Sequence, residues 1–149
     1  MKVELRDVTE ADLQVFFEHQ RDPEANRMAS FPPRERDAFL AHWREKVIQN
    51  PHGGRKTVLV DQQVAGNVVS WEGDGVRLVG YWIGREFWGR GVASTALAAY
   101  LEHETSRPLC AWVAVDNVGS VRVLEKCGFQ RISTHDHEGI TEYFYRLEA

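Results

Sequence analysis

The chain reads as a mixed α/β fold, an α+β arrangement around one mixed sheet, and three observations predict it. Stretches with period-two alternation interleave with stretches at helical spacing, in the order β-α-α-β-β-β-α-β-α-β-β. Three of these strands follow one another through short turns before a helix intervenes, which implies a mixed sheet rather than an all-parallel one. Hydrophobic residues make up 43% of 149, enough for one core, so residues 1–149 are expected to form a single domain.

Each element has its own signal. "KVELRDV" alternates as a strand does. Thr9 reads as an N-cap, with Asp12 three residues on in a capping-box pattern, and Leu13, Phe16, Phe17 and Gln20 follow at helical spacing. "NRMASFPPR" reads as a Pro-punctuated break. From Glu35 to Ile48, Phe39, Leu40, Trp43 and Val47 recur at steps of three and four, predicting a second helix that "NPHGG" stops. "KTVLV" and "VAGNVVSW" flank a turn at "DQQ" and form a hairpin. "EGDG" turns the chain again into a third strand, "VRLVGYWIG". After a loop with two glycines, Ala93, Ala96, Leu97, Tyr100 and Leu101 make an apolar helical stripe, predicting a helix to about Ser106. "LCAWVAV" is a buried strand, and Asn117 caps a short helix that Gly128 ends. "FQRIST" and "TEYFYRLE" pair last, with a turn expected over His135–Glu138.

Composition excludes several classes. A net charge of −4 argues against broad nucleic-acid binding. No apolar run approaches the roughly 20 residues that span a bilayer, and "MKVELRDVTEADL" lacks a signal-peptide apolar region. Two cysteines, Cys110 and Cys127, make no disulfide framework, and reduced thiols in a cytoplasmic protein fit best. His135, Asp136, His137 and Glu138 have metal-ligand chemistry, but no matching cluster exists elsewhere, so no metal is expected.

The loop "REFWGRGVAS" raises the question of function. It leads from a strand into a helix, whose N-terminus carries unpaired N–H donors and binds anions readily. Gly89 and Gly91 let a ligand approach the backbone, and Arg90 adds a charge for phosphate. A Walker loop needs Lys then Ser or Thr after its last glycine, and here Val92 follows Gly91. A dinucleotide fingerprint needs Gly or Ala where Ser94 stands, in a repeated βαβ order that this chain lacks.

A second motif, "DNVGSVRVLEKCGF", runs from Asp116 to Phe129. Together with "GYWI" at 80–83, "WGRG" at 88–91 with Ala93 after it, and the strand order, it resembles the GNAT superfamily of acetyl-CoA-dependent N-acetyltransferases. The resemblance covers essentially the whole chain, and within the superfamily it resembles the ribosomal-protein N-terminal acetyltransferase branch. It implies that backbone N–H groups from Trp88 to Ser94 (Gly89, Arg90, Gly91, Val92 and Ala93 between them) grip the pyrophosphate of coenzyme A. It implies that Tyr81, Trp82, Ile83 and Gly84 pair with the pantetheine arm, in a gap between this strand and Leu109–Val115. It also places Asn117 beside the cofactor and Ser120 near the sulfur. The implied acceptor is a primary amine on a small molecule or a peptide N-terminus, used by a monomer or homodimer. A non-catalytic coenzyme A sensor is the alternative.

Two departures from the superfamily pattern matter. Glu86 stands where Gln or Arg is usual, and Leu124 stands where many relatives place a tyrosine as acid for the leaving thiolate. Ser120, or a water it orients, is the expected substitute. The attacking amine must be unprotonated, and Glu72, at the end of the strand beside the cofactor strand, is the candidate base. An acyl-cysteine relay through Cys110 or Cys127 would need an activating partner that the sequence does not supply. Trp43, Trp71, Trp82, Trp88 and Trp112 are assigned mostly to the core by default; some are candidates to line the acceptor groove, Trp88 first because it flanks the loop.

Overall fold

The structure, a computed structural model, describes residues 1–149. Its elements are β1 (Val3–Arg6), α1 (Glu10–Gln20), α2 (Pro23–Ala29), α3 (Arg36–His42), β2 (Gly54–Val60), β3 (Gln63–Gly73), β4 (Val76–Ile83), α4 (Val92–Tyr100), β5 (Leu109–Ala114), α5 (Val118–Lys126), β6 (Gln130–His137) and β7 (Ile140–Leu147). The strands form one seven-stranded sheet in the order β1-β2-β3-β4-β5-β7-β6. All neighbours are antiparallel except β4 and β5, which the crossover through α4 makes parallel. The expected mixed sheet is thus present. No helix is long and apolar enough to cross a membrane.

The three hairpins share one turn chemistry. Asp61–Gln62, Asp74–Gly75 and Glu138–Gly139 each place two consecutive residues at positive φ. Two-residue loops of this kind match the right-handed twist of the flanking strands. The last turn is tighter than the sequence suggested: His135 to His137 continue β6, and only Glu138 and Gly139 turn.

Helix boundaries differ from the sequence reading at three places. A helix, α2, lies partly inside the expected break. Asp22 caps it, accepting from the Glu24 N–H at 2.9 Å, and Pro23 starts it with its φ already set. Seven residues are too few to show a periodic stripe. The second expected helix is α-helical only over Arg36–His42 and continues as a π-helical stretch over Trp43–Ile48. Helix α4 ends at Tyr100, short of Ser106, in a turn where the N–H groups of His103 and Glu104 both reach the Tyr100 carbonyl. The end of α5 is as expected: Gly128 has φ 93°, and the Phe129 N–H returns to the Leu124 carbonyl at 3.0 Å.

Each face of the sheet buries a separate cluster. Helices α4 and α5 cover one face, where Val58, Val68, Leu97, Leu109, Leu124 and Tyr145 are fully enclosed. Helices α1 and α3 cover part of the other, through Leu13, Phe16, Phe17, Phe39 and Trp43. A buried carboxylate ties this second layer to the sheet. Asp12 is 3% exposed, and Arg6 on β1 donates to it from both guanidinium nitrogens at 2.7 and 2.9 Å. The Thr57 hydroxyl on β2 donates at 2.7 Å and the Thr9 N–H at 2.9 Å. Burial pushes this carboxyl upward, but the bonds from Arg6, Thr9 and Thr57 outweigh it and bring its pKa down to about 2. The orientation of α1 over the sheet, and so of Phe16 and Gln20, depends on this cluster.

Candidate active site

The site is built around a gap in the sheet. Strands β4 and β5 pair only at Arg77–Leu109 and Leu78–Cys110, then diverge, while β5 stays paired with β7 as far as Ala114. The Gly84 N–H bonds the Ala65 carbonyl of β3 at 2.8 Å. Strand alternation therefore turns the backbone groups of Tyr81 and Ile83 away from β3 and toward the gap. The Ile83 carbonyl accepts from the Trp88 indole at 2.8 Å, which leaves the Tyr81 N–H and carbonyl facing the opening.

At the end of β4 a single 3₁₀ turn, Arg85–Phe87, leads into the glycine loop. Gly89 and Gly91 have φ of 76° and 75°, a backbone region that L side chains rarely adopt. The first bond of α4 runs from the Thr95 N–H to the Gly91 carbonyl, and the backbone N–H groups of residues 89 to 94 have no acceptor in the protein. The hydroxyls of Ser94 and Thr95 donate back to the Gly91 carbonyl at 3.2 and 2.8 Å. A row of free donors at a helix N-terminus thus opens toward the gap.

Across the gap stands the start of α5. Asn117 caps it, its Oδ1 accepting from the Ser120 N–H at 3.3 Å. The Ser120 Oγ lies 2.6 Å from the Tyr81 hydroxyl, which also donates to the Ser120 carbonyl at 3.3 Å. Burial pushes the Tyr81 phenol well above its ordinary pKa; the bond to Ser120 works the other way, and Cys127 adds to the rise. Leu124, one turn further along α5, is 1% exposed and belongs to the core. The phenol at this gap therefore comes from β4, not from α5.

These parts enclose a cleft of about 300 Å³. Of the residues expected at the cofactor, Tyr81, Trp82, Ile83, Trp88, Gly89, Gly91, Val92, Ala93, Ser94, Asn117 and Ser120 line it. Gly84 and Arg90 do not: Gly84 is bonded to β3, and Arg90 turns to the Glu86 carbonyl at 3.1 Å and lies over the Phe87 ring. The sequence reading missed the wall formed by Ala25, Met28 and Ala29, because it missed α2. It also missed Gly119 and Val123, although Val123 follows Ser120 by three residues and shares its helix face.

Glu72 lies in neither this cleft nor the groove behind it, and that expectation needs correction. Glu72 pairs with Arg77, whereas Tyr81 pairs with Val68, four residues away along β3. Four strand residues span roughly 13 Å. The Glu72 side chain is 62% exposed and sits 3.5 Å from the Arg77 guanidinium. Arg77 is in turn held by Glu104 at 2.7 Å. Neither thiol is an activated nucleophile, since burial raises the pKa of both Cys110 and Cys127.

On the α1/α3 side of the sheet the gap opens into a second groove of about 330 Å³, which shares Ala29, Tyr81, Trp82, Asn117 and Ser120 with the cleft. Its floor includes Asn67 and Val69 of β3, Trp82, Trp112 of β5 and Glu142 of β7; its walls include Phe16, Phe39, His42 and Trp43. Trp112 and Trp71 are therefore groove residues rather than core. Burial lowers the His42 pKa, helped by Arg34 and Lys46 nearby.

Two openings that meet at one gap, one lined with free N–H donors, suit a transfer between two ligands. Residues 2–130 match the family model described as Acetyltransferase (GNAT) domain. The chain belongs to the GNAT family of acetyltransferases. No curated protein sequence matches the chain. Among solved structures, a GNAT-family acetyltransferase from Bacillus anthracis is similar at 17% identity and TM-score 0.82, covering 99% of this chain and 95% of that one. Aminoglycoside acetyltransferase AAC(6')-Ib, in complex with ribostamycin and coenzyme A, has 17% identity and TM-score 0.82, with coverage of 99% and 94%. Spermidine N-acetyltransferase from Vibrio cholerae, in complex with coenzyme A and spermine, has 18% identity and TM-score 0.84, with coverage of 98% and 95%. As a GNAT acetyltransferase the chain is an enzyme that uses acetyl-CoA as co-substrate for N-acetylation. Its own geometry fits that ligand. A Cβ added at Gly89 would meet no atom within 4 Å, so no protein atom obstructs a ligand there, and the N–H groups of residues 89 to 94 suit a pyrophosphate.

Proposed function

We propose that this GNAT acetyltransferase moves the acetyl group of acetyl-CoA to the primary amine of a small molecule by direct attack, with Tyr81 and Ser120 as the donor pair at the departing sulfur. The observation that carries the reading is the Tyr81–Ser120 pair, 2.6 Å apart, at the mouth of a cleft that opens on both ligands' sides. Two of the three solved structures named above hold ribostamycin or spermine, both small amines, which supports that acceptor class over a peptide N-terminus. The ribosomal-protein branch rests on the sequence resemblance of "GYWI", "WGRG" with Ala93, and "NVGSVRVLEKCGF", and nothing in the comparisons supports it.

Each residue then has a role. When bound, acetyl-CoA supplies an acyl carbon activated as a thioester. The loop holds the pyrophosphate with the free backbone N–H groups of residues 89 to 94. The free backbone edge at Tyr81 takes the pantetheine arm as a neighbouring strand would, and the Tyr81 N–H is the donor for the oxygen on which charge develops. Tyr81 and Ser120 are bonded to each other and so keep one hydroxyl proton for the sulfur: with Ser120 donating to the Tyr81 oxygen, the Tyr81 phenol, kept protonated by burial, turns from the Ser120 carbonyl to donate to the sulfur. A phenol with a raised pKa releases its proton less readily than a free one. Tyr81 therefore donates a hydrogen bond, and water in the open cleft delivers the proton. No protein group bonds the Glu142 carboxylate, which fronts the acceptor groove and receives the proton of the amine. Holding amine and thioester together supplies much of the remaining rate.

The test is release of free thiol from acetyl-CoA on addition of an amine. Tyr81→Phe and Ser120→Ala are each expected to lower kcat about 10- to 100-fold, with the acetyl-CoA Kd unchanged within twofold. Unchanged kcat in both would remove the donor pair from the mechanism. Acetyl-CoA binding with no amine-dependent release would favour a sensor.

A further inference from the structure

We infer that the acceptor is a monoamine carried on a planar aromatic body, a choice that rests on the acetyltransferase reading above. Three large aromatics remain exposed on this molecule, Phe31, Trp71 and Trp112, at 43%, 37% and 38%. All three line the acceptor groove. A single exposed aromatic needs no explanation, but three facing one groove mark a binding surface. Register explains their convergence. Trp71 pairs with Leu78 and Asn67 with Trp82, so Trp71 and Trp82 project to the same face of β3 and β4. Phe31 meets Trp82 edge-on, with ring centroids 6.0 Å apart. Trp112 stands on the far side of the gap against Phe144 at 4.7 Å. The groove therefore presents flat faces and edges to whatever enters it, the surface an aromatic ring matches best.

The charges in the groove decide how many ammonium groups it accepts. Its carboxylate is Glu142 and its guanidinium is Arg34; neither forms an ion pair within the protein. Glu142 pairs with Ala114 at the end of β5. Continuing the β4–β5 register past its last pair sets Ala114 opposite Trp82, so the carboxylate stands beside the gap. One ammonium fits there. A second would find no other carboxylate in the groove and would meet Arg34 at the rim, leaving cation–π contact with the rings as its one attraction. Half-buried His42 does not change this count, since its lowered pKa favours the neutral imidazole near pH 7. The chain thus parts company with the spermine- and ribostamycin-bound neighbours, although it shares their fold.

Thiol release with tryptamine, 2-phenylethylamine, spermidine, kanamycin and an unblocked tetrapeptide tests the inference. Tryptamine or 2-phenylethylamine is expected to give a kcat/KM at least about tenfold above each of the others. Trp112→Ala is expected to raise the KM for tryptamine about tenfold, with the acetyl-CoA Kd unchanged; Trp71→Ala, on a different strand, gives the same readout should the first variant fold poorly. Spermidine, kanamycin or the peptide matching the aromatic amines would overturn the inference and leave the acetyltransferase reading standing. So would an unchanged tryptamine KM in both variants. Absence of release with every amine would overturn both.

Discussion

Asp12→Asn is the substitution whose effect the structure quantifies best. The carboxylate is 3% exposed and accepts from Arg6 twice, from Thr57 and from the Thr9 N–H. Its pKa falls from 3.8 to about 2 on folding. A tenfold change in proton affinity corresponds to about 1.4 kcal/mol, so the ionised group contributes about 2 kcal/mol at neutral pH. The folded value lies below the unfolded one. The contribution is therefore complete above about pH 4 and is lost as pH falls from there through 2. Asparagine keeps the shape but removes the charge and turns one acceptor into a donor facing Arg6. We expect Asp12→Asn to lower stability by about 2–3 kcal/mol in urea at pH 7, a drop of roughly 4–12 °C in Tm. The variant should also lose less stability than the wild type between pH 4 and 2. Because α1 carries Phe16 and Gln20 into the acceptor groove, the KM for the amine should rise while the acetyl-CoA Kd stays constant. A loss under about 0.5 kcal/mol at pH 7, or the same acid dependence as wild type, would refute the reasoning.

Three further outcomes follow from the geometry. Gly91→Ala forces a side chain onto a residue with φ 75° beside the free N–H row; it should cost about 1–2 kcal/mol in urea unfolding and raise the acetyl-CoA Kd at least about tenfold by calorimetry. Arg77→Ala leaves Glu104, 7% exposed, without the guanidinium that holds it at 2.7 Å; denaturation should report a loss of about 3–5 kcal/mol. Glu72→Gln should keep kcat/KM within about twofold of wild type, since the side chain is solvated and lies roughly 13 Å along the sheet from Tyr81.

How much of this was legible in the sequence depended on whether the signal was local. The glycine loop, the Asn117 cap and the Gly128 stop are set by φ preferences and by hydrogen bonds a few residues apart, and the structure places them as the residue types required. Helix α2 carries a local signal too, Asp22 before Pro23, but Pro32 and Pro33 give "NRMASFPPR" the pattern of a break. What involved long-range register was not legible. Strand β7 inserts between β5 and β6, and this alone brings Glu142 beside Ala114 and the gap. Glu72 ends a strand that neighbours the cofactor strand, but adjacency does not fix position along a strand, and the register sets it four residues from the level of Tyr81. The tyrosine looked for on α5 has a counterpart on β4, visible only once Tyr81 and Ser120 are seen to meet 39 residues apart in sequence.

The central claim is that the gap between β4 and β5, with the N–H row of residues 89 to 94 at its end, is an acetyl-CoA site. Thermal or urea unfolding with and without acetyl-CoA, and with NAD in parallel, tests it most directly. At 100 times its Kd a ligand that binds only the folded chain adds about 2.7 kcal/mol. The account predicts that stabilisation with acetyl-CoA, little or none with NAD, and a clear reduction of it at the same acetyl-CoA concentration in Gly91→Ala. Stabilisation by NAD without acetyl-CoA, or no response to acetyl-CoA at millimolar concentration, would contradict it.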